Sequence, residues 1–229
     1  MKNIGLVIAL IISGGIVGAA TAVYYYWSQA TRLPAWYSTQ DVVVPTEETI
    51  EAARDRVTQR LTIASDRAEV DEALDSAEFN ELMMTAIADN SSYSPLLAGA
   101  KGFNTTIEGD QLRTGAVVNL ADISPNQLQP REREFLQRLT DTFPDLVDRE
   151  IYVGLEGQPT VANDVLMLDD STTIQIGELK FPLAEVANRL GISEQELRHG
   201  ITVGLGVGGV DISEIEFSGD RALVRGAAQ

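Results

Sequence analysis

A nearly uncharged stretch at the N-terminus, Ile4 to Trp27, constrains this chain more than any other feature of its sequence. A helix needs about 20 apolar residues to cross the hydrocarbon core of a bilayer, and this stretch is long enough to do so. The run 24–27 closes it with three tyrosines and a tryptophan, whose rings favour the lipid headgroup region. Residues 1–27 are therefore predicted to be a transmembrane anchor with a short N-terminal tail.

A cleaved signal peptide is the alternative for the same stretch. Ala20-Thr21-Ala22 has the small-x-small pattern of a cleavage site, and Lys2 supplies a positive start. The apolar run is long for a signal peptide, which favours the uncleaved anchor. Positive charges at the two ends are almost balanced, with Lys2 and the terminal amine against Arg32. The short tail favours a single-pass protein with a cytoplasmic N-terminus and an exported domain.

Small residues recur at every fourth position within the predicted anchor. Gly14, Gly18 and Ala22 would form a stripe on one side of a helix, where a second helix can approach closely. The stripe therefore predicts helix–helix contact in the membrane. Glycine is also common in membrane helices that have no partner, so the alternative of a lone helix stays open.

The charge balance and the residue inventory exclude several classes of function. The chain has 17 basic and 34 acidic residues, a net charge of −17 that disfavours nucleic acid as a partner. It has no cysteine, which excludes thiol catalysis, disulfides and thiolate metal sites. Its single histidine, His199, comes just before Gly200 and is interpreted as a helix-end residue. We predict no catalytic residues, no metal site and no cofactor, and hence no enzyme.

Beyond the anchor, the sequence predicts a stalk over residues 28–46 and an acidic domain over 47–229. Apolar residues at helical spacing predict one helix over 46–64, and Asp75 with Glu78 has the spacing of a capping box that begins another. Alternating residues and turn signals then predict strands with two inserted helices. The strands are 103–108, 111–120, 150–156, 163–168, 172–180, 210–217 and 221–226, and the inserted helices are 131–143 and the segment from Pro182 to Gly191.

Three motifs suggest chemistry, and each has a simpler explanation. The glycines 204, 206 and 209 match a dinucleotide fingerprint, but a strand rather than a helix is predicted after them. Residues 183–200 imitate a helix-turn-helix, yet the second helix is acidic where DNA recognition needs basic side chains. Asp169-Asp170 is a pair of carboxylates in a predicted turn, where aspartate is favoured for backbone reasons.

Four segments between residues 75 and 226 have a familiar order: the helix start 75–82, the 103–120 hairpin, the run from 164 to 182 and the closing hairpin 210–226. Taken together, they resemble the YpmS-like family of membrane-anchored bacterial proteins. The glycine-rich 204–209 stretch departs from the family pattern. The resemblance implies a fold similar to tubular lipid-binding domains, in which sheets wrap around a helix. It implies a groove for acyl chains and offers no catalytic residue to carry over.

Together these features predict an α+β fold in which an N-terminal transmembrane helix is followed by helices packed on a curved, mostly antiparallel sheet. The predicted function is a membrane-tethered, non-catalytic binding module for lipid or another hydrophobic ligand. The alternative is an interaction or assembly factor of a membrane protein complex, with a membrane protein as partner. The candidate groove residues, whose pattern also fits plain core, are Phe79, Leu82, Met83, Ile174, Ile176 and Phe181.

Overall fold

The computed structural model describes residues 28–38, 42–65, 70–90, 94–128, 133, 137, 149–162, 164–190, 193–206 and 210–228. The helices are α1 (Glu47–Ser65), α2 (Ser76–Asp89), α3 (Ser94–Ala98), α4 (Leu183–Leu190) and α5 (Glu194–Gly200). The strands are β1 (Val70–Asp75), β2 (Ala100–Glu108), β3 (Gln111–Asn119), β4 (Glu150–Gly157), β5 (Pro159–Ala162), β6 (Val165–Leu168), β7 (Thr173–Ile176), β8 (Leu179–Pro182), β9 (Val203–Gly204), β10 (Val210–Ser218) and β11 (Arg221–Ala228). The predicted α+β class is confirmed.

The two longest helices begin as the sequence predicts. In α1 the Thr46 hydroxyl accepts a hydrogen bond from the Thr49 N–H at 3.2 Å, which satisfies a free donor of the first turn. The predicted capping box of α2 is present, because the N–H groups of Glu78 and Asp75 donate to each other's carboxylates, both at 2.9 Å. Such a reciprocal pair fixes where a helix starts.

Ion pairs connect α1 to α2 and to β1. Arg54 and Arg56 of α1 contact Asp89 and Glu81 of α2 at 2.5 and 2.7 Å. Arg60 contacts Glu72 of β1 at 2.8 Å and also Glu78 of α2. These side chains are partly exposed, so each pair contributes at most about 1 kcal/mol.

The largest sheet has five strands in the order β2-β3-β4-β7-β8, and every neighbouring pair is antiparallel. The prediction of one strand over 172–180 is wrong. The segment divides into β7 and β8 at Gly177, whose φ of 57° interrupts an extended chain. One face of this sheet meets α2, and the other meets residues 28–38.

Helix α2 lies between the five-stranded sheet and a smaller sheet of order β1-β11-β10. A third sheet, of order β5-β6-β9, packs beside them. The hydrophobic core joins buried residues of both larger sheets to α2, which is why this helix is buried along most of its length. The sequence leaves the structure of residues 68–74 open, and the described part of that segment, residues 70–74, belongs to strand β1.

Two predicted segments concern residues that the structure does not describe. The predicted anchor, with Gly14, Gly18 and Ala22, lies outside the described residues, and so does nearly all of the predicted helix 131–143. None of the helices within the described ranges has the length and apolar character needed to cross a membrane.

The described part of the predicted stalk packs on the domain. Residues 28–38, which we call the strap, contact the outer face of the five-stranded sheet, which is the face turned away from α2. Further along, the N–H of Phe103 donates to the Val43 carbonyl at 2.9 Å, so that residue 43 adds a bridge to the edge of β2.

Candidate functional site

An apolar cavity of about 150 Å³ lies between α2 and the inner face of the five-stranded sheet. Strands β3, β4 and β7 form its floor, and residues of α2, α3, β6 and β9 enclose it. Its lining residues are Met83, Ile87, Leu97, Phe103, Leu112, Thr114, Gly115, Ala116, Val118, Leu120, Ile123, Val153, Gly154, Leu155, Gly157, Leu166, Ile174, Ile201 and Val203.

The floor of the cavity follows from strand alternation. Leu112, Thr114, Ala116 and Val118 alternate along β3 and point to one face, as period-two strands require. These four residues span six steps along the strand, a length of about 20 Å. Because Ala116 in the middle is small, the sheet leaves room beneath α2 along that line. The lining therefore extends along β3 and also across to β2, β4 and β7.

The cavity offers no free hydrogen-bonding group from its side chains. Among the described residues that line it, Thr114 alone has a polar side chain. The Thr114 hydroxyl is hydrogen-bonded to the hydroxyl of Thr105 on β2 at 2.9 Å, and both residues are buried. Because the two hydroxyls are directed at each other, the lining presents mainly methyl groups and other hydrocarbon to the cavity. The site can therefore hold an apolar group by dispersion and the hydrophobic effect.

The six predicted groove residues divide into three groups. Met83 and Ile174 line the cavity. Ile176 and Phe181 lie on the same inner face, because their cross-strand partners Val153 and Ile174 line it.

Phe79 and Leu82, the two remaining predicted residues, are fully buried in the core beside the cavity. The ring of Phe79 meets that of Phe217 edge to face at 5.4 Å between centroids. These two side chains have a packing role, which is the alternative that the same sequence pattern allows.

Strand β3 contributes more of the cavity floor than any other strand, and none of the groove residues predicted from the sequence lies on it. The alternation of residues 111–119 gives the signal, since it shows that one face of this strand is almost wholly apolar. What the alternation does not show is which part of that face the core leaves unfilled.

The other motifs of the sequence have structural roles in the described chain. Ser193 caps α5 by accepting the Glu196 N–H at 3.1 Å, as its spacing predicts, and His199 lies in the last turn of that helix. Burial alone would raise the pKa of Asp169, but hydrogen bonds from Ser171 and Thr172 hold it below its usual value, which is typical of an aspartate that orders a turn.

The glycine-rich stretch that follows does not form a nucleotide loop in its described part. Gly204 ends strand β9 and Val210 begins strand β10, so the dinucleotide fingerprint lacks the helix that would receive a pyrophosphate. No group of three or more His, Asp or Glu side chains suited to a metal ion occurs within the part of the chain that the structure describes.

The chain matches no known protein-family model, no curated protein and no solved structure among those compared with it. The resemblance to the YpmS-like family is neither supported nor contradicted by these comparisons and stays a prediction. The cavity and the sequence of the N-terminus are therefore the two features that bear on function.

Proposed function

We propose that this chain is a membrane-tethered, non-catalytic module that binds an apolar ligand, with the acyl chain of a lipid as its ligand class. The observation that carries the proposal is the apolar cavity beneath α2. A fully packed interior at this place would have left no room for a ligand. The cavity has room, and its lining matches the chemistry of a hydrocarbon chain.

The size of the cavity limits what it holds. Ligand pockets for drug-sized molecules measure about 300–1,000 Å³, and an engineered apolar cavity of about 150 Å³ in another protein takes up one benzene molecule. A cavity of about 150 Å³ therefore suits part of one hydrocarbon chain and not a whole phospholipid. The polar headgroup of such a ligand would remain outside.

The predicted anchor supplies the second half of the proposal. A domain held at a membrane surface meets lipid at a high effective concentration, so that even a weak apolar site is occupied. The anchor and its orientation, with the domain exported, are parts of this proposal that rest on the sequence of residues 1–27.

Photocrosslinking tests the proposal on the full chain. The chain is reconstituted in phosphatidylcholine vesicles that contain a lipid with a photoreactive acyl chain, and the crosslinked peptides are mapped by mass spectrometry. We expect crosslinks in two places. Crosslinks to the anchor serve as an internal control for membrane insertion, and crosslinks to peptides with Met83 or Ile174 report occupancy of the cavity.

A matched pair of variants separates binding from nonspecific contact. Ala116→Leu places three more carbons in the cavity, whereas Ala121→Leu places them on an exposed residue just beyond the same strand. We expect Ala116→Leu to abolish the cavity crosslinks, with unchanged or higher stability because filling a void is favourable. Ala121→Leu is expected to leave them unchanged. Crosslinks confined to the anchor in the parent chain would refute ligand binding in the cavity.

A further inference from the structure

The strap, residues 28–38, crosses the outer face of the five-stranded sheet from the turn between β7 and β8 to Tyr152 on β4. Its first residues meet the turn between β7 and β8, where the Glu178 N–H donates to the Gln29 carbonyl at 2.9 Å. Arg32 forms an ion pair with the Glu178 carboxylate, also at 2.9 Å. The strap is thus attached to this turn by a backbone hydrogen bond and by a pair of charges.

Aromatic side chains hold the other half of the strap. The ring of Trp36 meets the ring of Tyr152 on β4 edge to face, with 6.0 Å between centroids. Tyr37 is hydrogen-bonded to Glu150, and burial together with that carboxylate raises the pKa of Tyr37 to about 12. Edge-to-face pairs contribute beyond the area that they bury, so this half adds specific contacts to those at the turn.

Glycines in the sheet make room for the strap. A Cβ on Gly102 would lie 2.7 Å from a methyl carbon of Val42 and 3.2 Å from the ring of Trp36. A Cβ on Gly177 would collide with the carbonyl oxygens of Gln29 and Ala30. Each of these glycines therefore lies where the strap requires a residue without a side chain.

The start of the strap lies next to the end of the predicted anchor. Trp27 closes the apolar stretch only two residues before Gln29, a distance of at most about 7 Å along an extended chain. Residues 28–30 are helical, which shortens it further. If the stretch 4–27 spans a bilayer, the turn between β7 and β8 must lie close to the bilayer surface.

We infer that the strap fixes the domain on the membrane in one orientation, with the β7–β8 end of the five-stranded sheet facing the lipid headgroups of the bilayer that carries the anchor. This inference rests on the membrane tether of the proposed function and is independent of ligand binding in the cavity. It assigns a partner, the lipid surface, to a defined end of the domain.

The charges at this end suit a lipid surface. Glu178 is paired with Arg32, and at the same end Asp122 is paired with Lys101 at 2.7 Å. In a chain of net charge −17, such pairing reduces the repulsion between these acids and anionic headgroups. The cavity residues Leu120 and Ile123 also lie toward this end of the sheet, beyond β3.

Headgroup quenching tests the orientation on the full chain. Because the sequence contains no cysteine, a single introduced cysteine carries the only fluorescent label. Ala121→Cys lies at the end predicted to face the membrane, and Gln111→Cys lies at the opposite end of β3, about 27 Å away. Both residues are exposed. In phosphatidylcholine vesicles with a quencher attached to the headgroup, we expect the label to lose emission at position 121 and to retain it at position 111.

Two glycine variants test whether the strap sets this orientation. Gly177→Ala introduces a Cβ into the strap, while Gly219→Ala introduces one at a turn with nothing within 4 Å. The two glycines have similar φ values, 57° and 68°, so that both variants carry the same kind of backbone strain. We expect Gly177→Ala to remove the difference in quenching between the labels at positions 121 and 111, and Gly219→Ala to preserve that difference.

The possible results separate this inference from the proposed function. A chain that floats with the vesicles but shows equal quenching at positions 121 and 111 overturns the orientation and leaves ligand binding unaffected. A chain that does not float with the vesicles overturns the tether, and with it the inference. If Gly177→Ala still shows quenching at position 121 and none at position 111, the strap does not set the orientation.

Discussion

The two faces of the five-stranded sheet use small residues in opposite ways. On the outer face, Gly115 and Gly154 are cross-strand neighbours, and the space above them is occupied by the side chain of Tyr152. On the inner face, Ala116 and its neighbours leave a space of about 150 Å³ that no described side chain fills.

The difference shows that a small residue does not by itself create a cavity. An aromatic ring from the same sheet reaches across the outer glycines, so this face is close-packed as protein interiors usually are. The inner face meets a helix, whose side chains project at fixed positions and leave a gap along β3. Substitutions that add volume should therefore change stability in opposite directions on the two faces. The added atoms collide with neighbours on the outer face and find room on the inner face.

The largest effect is expected for Gly115→Ala. A Cβ there would lie 2.6 Å from the Tyr152 hydroxyl and 2.7 Å from the Gly154 Cα, and the backbone cannot move away cheaply. We expect a loss of about 2–3 kcal/mol in the free energy of unfolding, measured by urea denaturation of the full chain in a non-ionic detergent. Gly204→Ala, a strand glycine with open space around it, is the control and should change little. Equal effects of the two variants would contradict close packing of the outer face.

A smaller loss is expected on the inner face from Thr114→Val. The substitution keeps the shape but leaves the buried Thr105 hydroxyl without its partner, at a cost of about 1–2 kcal/mol. The double variant with Thr105→Val removes both hydroxyls and should recover most of that loss. Additive losses in the double variant, by the same denaturation measurement, would show that the two hydroxyls are not mutual partners.

The smallest effect concerns Glu156, which lies between Arg113 and Lys180 on the outer face. Desolvation tends to raise the pKa of Glu156, but hydrogen bonds and charges from Lys180 and Arg113 outweigh it and hold the pKa below its usual value. Since the pKa is lower in the folded state, the contribution to stability is present above the unfolded-state pKa. It is lost as the pH falls through the folded-state pKa.

Glu156→Gln should therefore lower stability by about 1 kcal/mol at neutral pH and make stability less dependent on pH in the acid range. Urea midpoints measured from neutral to acid pH for both chains would show this. If the two curves stay parallel down to the acid range, the ion pairs do not contribute as described.

The features that the sequence predicts correctly are local. The capping box of Asp75 and Glu78 involves residues three positions apart, and the turns at Gly109-Asp110 and Gly219-Asp220 connect strands that are adjacent in sequence. Such features need only short-range geometry and residue type, so the start of α2 and both hairpins follow from the sequence.

The features that the sequence does not predict depend on distant contacts. The strap reaches the β7–β8 turn across almost 150 residues of chain, and its proline and polar residues are those of a free linker. Gly177 ends β7 because the chain turns there and because the strap needs the space, and neither reason is local. The cavity depends on how α2 packs on the sheet. The alternation of apolar residues along β3 therefore predicts which face of the sheet lines the cavity, but not where on that face the cavity lies.

The paired hydroxyls of Thr105 and Thr114 have a consequence for selectivity. A cavity whose single polar side chain is already hydrogen-bonded offers little to distinguish one polar headgroup from another. What its limited volume can select is the size of the hydrocarbon, because about 150 Å³ admits only part of one chain. In the proposed function this domain would respond to the bulk of the hydrocarbon and be indifferent to the lipid class that carries it.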